Sequence, residues 1–427
     1  MNKNDSELMV SSLKKKGYRR VEKIDDARIV IYNTCSVRQH AEDRVLARIK
    51  IVKKIVRGRK GVIAVTGCMA QRNGRKLIET GLADLVVGPY ESPNIGELIE
   101  IYLHGKDNNT FLSQDTGNFH ARILTGEPDT LDDFFWHKWV TITHGCENFC
   151  SYCIVPHVRG RLISFRSETI LSYIKSLAEN GIREISLLGQ NVNQYGTDTG
   201  DIPFYRLLEK AAALRGLVRV NFLTSHPRDF TEDIVKVIRD HENISRSIHL
   251  PLQSGSDKIL GMMNRNYSMD HYLTVTGYIK KHLEEYSITT DLIVGYPGED
   301  ENDFQDTLRA VEKIGFDDAF MYAYSPRENT PAWDLKDELS RSDKIARLER
   351  LISLQKKISR GRLESRIDKT EMVIVERMSK KSGSEVMGKT FLNHPVVLSG
   401  SAGDIGSHVM IKIEKLTGNT LQGKRIG

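Results

Sequence analysis

Trp139-Val140-Thr141-Ile142-Thr143-His144-Gly145-Cys146-Glu147-Asn148-Phe149-Cys150-Ser151-Tyr152-Cys153 is the stretch on which the reading of the fold turns. A β-rich run, Trp139 to Thr143, empties directly into a loop bearing three cysteines. The same grammar repeats downstream. Glu184 to Leu188 leads to Gly189-Gln190-Asn191, Arg219 to Thr224 to Ser225-His226-Pro227, and Ser247 to Leu252 to Gln253-Ser254-Gly255. Thr289 to Val294 leads to Gly295-Tyr296-Pro297-Gly298-Glu299, and Ala319 to Tyr324 closes the series. Six such runs alternating with helix-like segments predict an α/β fold whose parallel sheet curves into a full or partial barrel. Sites in such folds lie at the carboxyl ends of the strands, where the unusual residues cluster here.

Upstream, Ile29 to Tyr32 and Val62 to Val65 read as two further strands around a basic helical stretch. Each ends in a turn with a cysteine, Asn33-Thr34-Cys35 and Thr66-Gly67-Cys68. One right-handed βαβ unit between them puts both thiols on the same edge of a small parallel sheet. Residues 104–135, with Lys106-Asp107-Asn108-Asn109, have the composition of a linker. A charged helix is expected over Ser340 to Leu363, followed by short β-like runs, Met372 to Val375, Val396 to Leu398 and Val409 to Ile413, that suggest a small all-β barrel. The expected domains are 1–104, 132–362 and 365–427.

The 427 residues are 39% hydrophobic and 28% charged, as in globular proteins of two or three domains. No run approaches the roughly 18 apolar residues of a membrane helix, and the polar start lacks a signal-peptide core, so a cytoplasmic location without membrane attachment is expected. Five cysteines, three of them within Cys146 to Cys153, argue against a secreted disulfide framework and for metal or redox chemistry. Residues 1–76 hold 20 Lys/Arg against 7 Asp/Glu and residues 341–427 hold 18 against 9, which leaves 24 against 40 between them. Two basic ends around an acidic centre suit a polyanion gripped at the periphery; each run taken singly also reads as a solvated helix face.

Three thiolates in CxxxCxxC spacing can ligate three irons of a 4Fe-4S cube and leave the fourth without a protein ligand. An open iron can chelate the amino and carboxylate groups of S-adenosylmethionine (SAM), so that an electron from the cluster releases a 5'-deoxyadenosyl radical. The alternative is a structural zinc site, which needs a fourth ligand such as His144 or His157. For Cys35 and Cys68 the alternative is a pair of small buried apolar residues.

Cys146, Cys150 and Cys153, with Tyr152 before the last, resemble the radical SAM signature. Asp291 to Glu299 is similar to the stretch that lies against the SAM adenine in that superfamily. The resemblance then narrows. Asn33-Thr34-Cys35-Ser36-Val37-Arg38, Gly67-Cys68-Met69-Ala70-Gln71-Arg72, Leu188-Gly189-Gln190-Asn191-Val192-Asn193, Ser225-His226-Pro227-Arg228-Asp229, His249 to Ser256 and Tyr324-Ser325-Pro326-Arg327 all resemble the radical SAM methylthiotransferase family. Among its branches they look most like the tRNA enzyme acting on N6-dimethylallyladenosine beside the anticodon.

This resemblance implies a radical SAM partial (β/α)6 barrel, an amino-terminal parallel-sheet domain with a second 4Fe-4S cluster, and a carboxyl-terminal TRAM barrel that binds RNA. It implies that Cys146, Cys150 and Cys153 hold the radical-generating cluster, and that Cys35 and Cys68 hold part of the second. Tyr152, Gln190 and Gly295 become expected SAM contacts. The implied partners are a tRNA anticodon stem-loop and a reductase electron donor such as flavodoxin. C2 of adenine has a strong C–H bond with no activating neighbour, which suits a radical route. Within the family, rival substrates are a threonylcarbamoylated tRNA adenosine and an aspartate of a ribosomal protein. A rival from another class is a zinc-stabilised, non-catalytic RNA-binding protein.

Two departures stand out. The family carries a third amino-terminal cysteine in a Gly-Cys-Gln-Met-Asn stretch, whereas this chain begins at Met1-Asn2-Lys3-Asn4-Asp5, two residues past it. The expectation is that Met1 is an internal methionine and that an upstream strand supplies the thiol; an upstream stop codon with no in-frame cysteine before Met1 would end it. Beyond Arg159-Gly160-Arg161, residues Leu162, Ile163, Phe165 and Arg166 replace a more charged stretch. His226 and His249, each near a proline at a strand end, are expected to be hydrogen-bonded structural histidines, and Met262 and Met263 packing residues.

Overall fold

The computed structural model describes residues 2–36, 39–59, 61–105, 108–112 and 135–426. Most of the expected linker, and Val37 and Arg38 of the first thiol motif, lie outside the described residues. The chain divides into two compact units, one of Met1–Asp133, Trp139–Phe149 and Cys153–Tyr173, the other of Phe134–Lys138, Cys150–Tyr152 and Ile174–Gly427.

The first unit begins with α1 (Asn2–Lys15), β1 (Ile29–Thr34), α2 (Gln39–Arg57), β2 (Val62–Gly67), α3 (Cys68–Glu79), β3 (Leu85–Val87), α4 (Ile95–Leu103) and β4 (Thr110–Phe111). The strands form one parallel sheet in the order β1-β2-β3-β4. Every residue of β2 is buried, as an inner parallel strand covered on both faces requires. The two-residue alternation of a strand then sorts the core. Ile63 and Val65 pack with Ile49, Val52, Val56, Met69 and Leu77, whereas Ala64 packs with Met9, Leu85, Val87, Ile95 and Ile99. Each such fully buried aliphatic side chain contributes about 1.5–3 kcal/mol. β3 and β4 escape sequence reading because they are three and two residues long.

β5 (His137–Thr141) is followed by β6 (Thr143–His144), α5 (Val155–Arg159), β7 (Ile163–Ser164) and α6 (Ser167–Glu179). β6 and β7 pair antiparallel, His144 opposite Ile163.

The second unit continues through β8 (Glu184–Leu188), α7 (Phe204–Ala212), β9 (Arg219–Phe222), α8 (Glu232–Asp240), β10 (Ser247–His249), α9 (Asp257–Met262), α10 (Met269–His282), β11 (Ser287–Val294), α11 (Glu301–Ile314), β12 (Asp318–Ala323) and α12 (Arg341–Glu364). The Trp136 carbonyl accepts from the Arg183 and Glu184 amides, β8 pairs parallel with β9, and β10, β11 and β12 form a parallel set. A parallel bridge from Val220 to Ile244 joins the two sets into one open arc of alternating strands and helices, the expected partial barrel. The third and fourth runs are shorter than the sequence suggests. Thr224 and Gln253 take φ of 71° and 74°, which leaves the extended region, and Pro251 has no amide to continue a ladder.

α12 starts where Ser340 and Asp343 cap each other, Ser340 accepting from the Asp343 amide and Asp343 from the Ser340 amide, both at 3.2 Å. It leads to β13 (Thr370–Met378), β14 (Glu385–Thr390), β15 (Pro395–Ser399), β16 (His408–Thr417) and β17 (Thr420–Arg425), a closed barrel in the order β13-β14-β15-β17-β16. Val373, Val375, Val386, Val396, Leu398, Ile411, Ile413 and Leu421 fill it. β14 and β17 carry a glycine each and several polar residues, so their alternation is weak in the sequence. Gly388 is needed because a Cβ there would lie 2.1 Å from the Ile374 carbonyl oxygen. The barrel is tied to the arc by Arg219, which donates to both Glu184 oxygens at 2.8 and 2.9 Å and to the Thr390 carbonyl at 3.1 Å.

Candidate active site

In the first unit, parallel pairing sets Thr34 opposite Gly67, so the next residues, Cys35 and Cys68, emerge from one sheet edge. The Thr34 hydroxyl donates to the Thr66 carbonyl at 2.5 Å. Gly67 has φ of 89°, and a Cβ there would meet the Thr34 carbonyl at 2.3 Å; the two chains can approach only because this residue is glycine. Cys68 opens α3 and is buried.

Arg159 is the centre of charge beside it. Its Nε donates to Cys68 Sγ at 3.3 Å, its Nη2 to Asp5 Oδ2 at 2.8 Å, and its Nη1 lies 3.1 Å from His144 Nε2. Burial opposes this charge, but Asp5 and Cys68 more than offset it and the guanidinium holds its proton more tightly than a free one. Burial, reinforced by Arg159, pushes His144 well below the ordinary histidine range, so it is neutral and accepts from Arg159. The same segment fixes the start of the three-cysteine loop. Cys146 donates its amide to the Gly160 carbonyl at 3.1 Å, and Gly145, at φ 73°, has room for no side chain because a Cβ would sit 1.8 Å from the Arg161 carbonyl. This gives Arg159-Gly160-Arg161 a physical role.

In the second unit, the middle of the loop is pinned by Ser151, whose amide donates to the Met263 carbonyl and whose carbonyl accepts from the Ala332 amide. Tyr152 packs against Ile259, Met263, Tyr296, Tyr324 and Ala332. Cys150 is buried against a second guanidinium. Arg265 Nη1 donates to Cys150 Sγ at 3.3 Å and to the Tyr152 hydroxyl at 3.4 Å, Nε to the Tyr267 hydroxyl at 3.2 Å, and Nη2 to the Pro251 carbonyl at 2.9 Å. Among the described residues no carboxylate pairs with it, although it is only 4% exposed. Leaving a buried cation without an anion costs several kcal/mol.

The turn after β11 is set by Gly295, at φ 70°, whose amide donates to Glu299 Oε1 at 2.8 Å. Tyr296 beside it shares the apolar cluster of Tyr152. Gln190 follows β8 and is not part of that cluster; its Oε1 is buried without a partner among the described residues. Ser225 Oγ and His226 Nε2 after β9, and Gln253 Oε1 after β10, are likewise buried and unpaired. Unsatisfied buried groups of this kind are expensive, and their concentration at three consecutive strand ends marks a surface built to hydrogen-bond a ligand. His226 Nδ1 accepts from the Arg228 amide, and burial, then the charges of Arg265 and Arg228, push its pKa down to about 2. The neutral ring therefore carries its proton on the buried Nε2. His249 lies 2.9 Å from Thr289 Oγ1 and 3.1 Å from Asp291 Oδ2, the hydrogen-bonded state expected of it. Met263 is fully buried and Met262 is half-exposed.

Cys68 and Cys150 are free thiols. Among the described residues no three His, Cys, Asp or Glu side chains are drawn together so as to hold a single metal ion. A cubane spreads its thiolates over separate irons. What fits a 4Fe-4S cluster is the donor chemistry: three cysteines within eight residues of the sequence, and a buried cation touching Cys150. Sequence reasoning missed Arg265 and Asp5. The one local sign of Arg265 is its position between Asn264 and Asn266, both in left-handed conformation at φ 54° and 56°.

A parallel arc of alternating strands and helices, with a three-thiol loop on its first strand, defines a radical SAM protein, and residues 140–311 match the sequence model of the radical SAM superfamily. Residues 1–88 match a family described only as uncharacterized protein family UPF0004. The fold is similar to that of the radical SAM methyltransferase TsrM from Kitasatospora setae, solved with cobalamin and a [4Fe-4S] cluster bound, at TM-score 0.56 and 12% identity over 77% of this chain and 73% of that one. Curated relatives reach the full length. The tRNA-2-methylthio-N(6)-dimethylallyladenosine synthases of Thermoanaerobacter pseudethanolicus and Thermotoga petrophila are 38% and 39% identical, over 100% and 99% of this chain and 90% and 94% of theirs. That of Moorella thermoacetica is 37% identical over 100% of this chain and 96% of its own. The chain belongs to the family of tRNA methylthiotransferases that these synthases represent, and it is a radical SAM enzyme.

Proposed function

We propose that this enzyme attaches a methylthio group to C2 of N6-dimethylallyladenosine beside the anticodon of tRNA. The observation that carries the reading is the division of the five cysteines into two sets, Cys35 and Cys68 after the parallel strands β1 and β2 and the other three on the loop after β6, each set with a buried arginine 3.3 Å from one sulfur. Cys146, Cys150 and Cys153 would hold one 4Fe-4S cluster, and Cys35 and Cys68 two corners of a second. When bound, these groups and SAM supply a 5'-deoxyadenosyl radical and the sulfur to be transferred.

The protein's own groups do the rest. Gln190, Ser225, His226 and Gln253 offer the unpaired hydrogen-bonding atoms that a polar ligand needs. Tyr152 packs against the apolar cluster that holds Tyr296, and the Gly295 turn lies against the stem of Lys344. Residues 1–104, 132–362 and 365–427 would serve as cluster-holding domain, catalytic core and TRAM-like RNA-binding barrel. The basic ends would grip the anticodon stem through phosphates and leave the base free to be splayed out. A flavodoxin-type reductase would deliver electrons, in the cytoplasm. Among the described residues no helix is long and apolar enough to cross a membrane.

The test is mass spectrometry of tRNA nucleosides from cells lacking the gene. The methylthio mark on dimethylallyladenosine should vanish and return with the wild-type gene, and not with a Cys150→Ala copy. An unchanged nucleoside profile in the deletion strain overturns the proposal.

A further inference from the structure

Arg265 is a buried, permanently charged group that lies 3.3 Å from the sulfur of Cys150. Its other hydrogen bonds go to the oxygens of Tyr152, Tyr267 and Pro251. The surroundings hold it in one place. Its own amide donates to the Leu260 carbonyl, and the Tyr267 hydroxyl that accepts from Nε donates onward to the Leu252 carbonyl at 2.6 Å. Arg159 makes an N–H···S contact of the same length, but Asp5 balances it.

We infer that Arg265 is a positioning residue that acts through Cys150 to raise the reduction potential of the cluster on the Cys146–Cys150–Cys153 loop. Reduction adds one electron, and hence one negative charge, to a group already ligated by thiolates. A fixed cation hydrogen-bonded to a ligand sulfur stabilises that reduced form over the oxidised one. Among the described residues no carboxylate pairs with Arg265, in contrast to Arg159. The inference rests on the proposed ligation by Cys150 and extends it to a residue that binds neither iron nor substrate.

The test is a redox titration of the reconstituted full chain with dithionite, followed by EPR, for wild type, Arg265→Met, Arg265→Gln and Arg265→Lys, with iron counted in each sample. The two neutral variants should show about a tenfold smaller one-electron reduction equilibrium, a potential about 59 mV lower, and Lys should recover part of the shift. Should the neutral variants fold without binding iron, recovery of iron by Arg265→Lys supports the inference, and absence of recovery overturns it. Iron-loaded neutral variants with an unshifted potential also overturn it. A wild-type protein that takes up no iron would instead sink the ligation proposal itself, so the two failures are distinguishable.

Discussion

Two buried guanidinium groups each lie 3.3 Å from a cysteine sulfur, one in each compact unit, and they differ in what balances them. Arg159 is closed off by Asp5 at 2.8 Å, so its site is neutral before anything binds Cys68. Arg265 faces a thiol, two phenols and a carbonyl, and among the described residues no carboxylate pairs with it. A buried cation paid for by its own carboxylate is an architectural element; one left open is an electrostatic demand on whatever binds beside it.

The cysteines separate the two sites most sharply. Cys150→Ala should remove about four irons per chain and reduce SAM cleavage to background. Cys68→Ala should leave cleavage in place and abolish formation of the methylthio product. Iron analysis with chromatography of 5'-deoxyadenosine checks both, and equal loss of cleavage in the two variants would break the comparison.

Asp5→Asn tests the closed arginine. It strands Arg159, which is 3% exposed, and should cost about 3–5 kcal/mol in urea unfolding. Asp5→Asn combined with Arg159→Met should recover much of that loss, because no uncompensated charge remains. A double variant no more stable than the single one would mean that the pair is not the closed unit described here.

A smaller effect follows from His226, which the charge of Arg265 helps to keep neutral. Its folded pKa of about 2 lies below the ordinary value of 6.5, so between those limits the unfolded chain binds the extra proton. Its contribution to stability is therefore intact above pH 6.5 and is lost as the pH falls, by about 1 kcal/mol per unit. His226→Gln should flatten unfolding curves between pH 6.5 and the onset of acid denaturation. An unaltered slope would show that the ring is not held neutral.

Much of this was legible in the sequence because it depends on local order. The six runs, the helix after Ser340 and the position of Cys35, Cys68 and Cys146 just past strands follow from periodicity and turn residues. β14 and β17 were not legible, since closing a small barrel lets polar, glycine-bearing segments pair where they would not stand alone. The arginines were not legible either. Beyond the asparagines that flank Arg265 and the Arg159-Gly160-Arg161 stretch, the sequence shows neither role, because both come from burial and from partners 115 and 91 positions away.

The most direct measurement is an anaerobic reaction of the iron-loaded, dithionite-reduced full chain with SAM and an anticodon stem-loop bearing N6-dimethylallyladenosine, followed by mass spectrometry. The expected result is 5'-deoxyadenosine together with RNA heavier by one methylthio group at that nucleoside. Iron-loaded, reduced protein that leaves both SAM and the RNA unchanged would contradict the account.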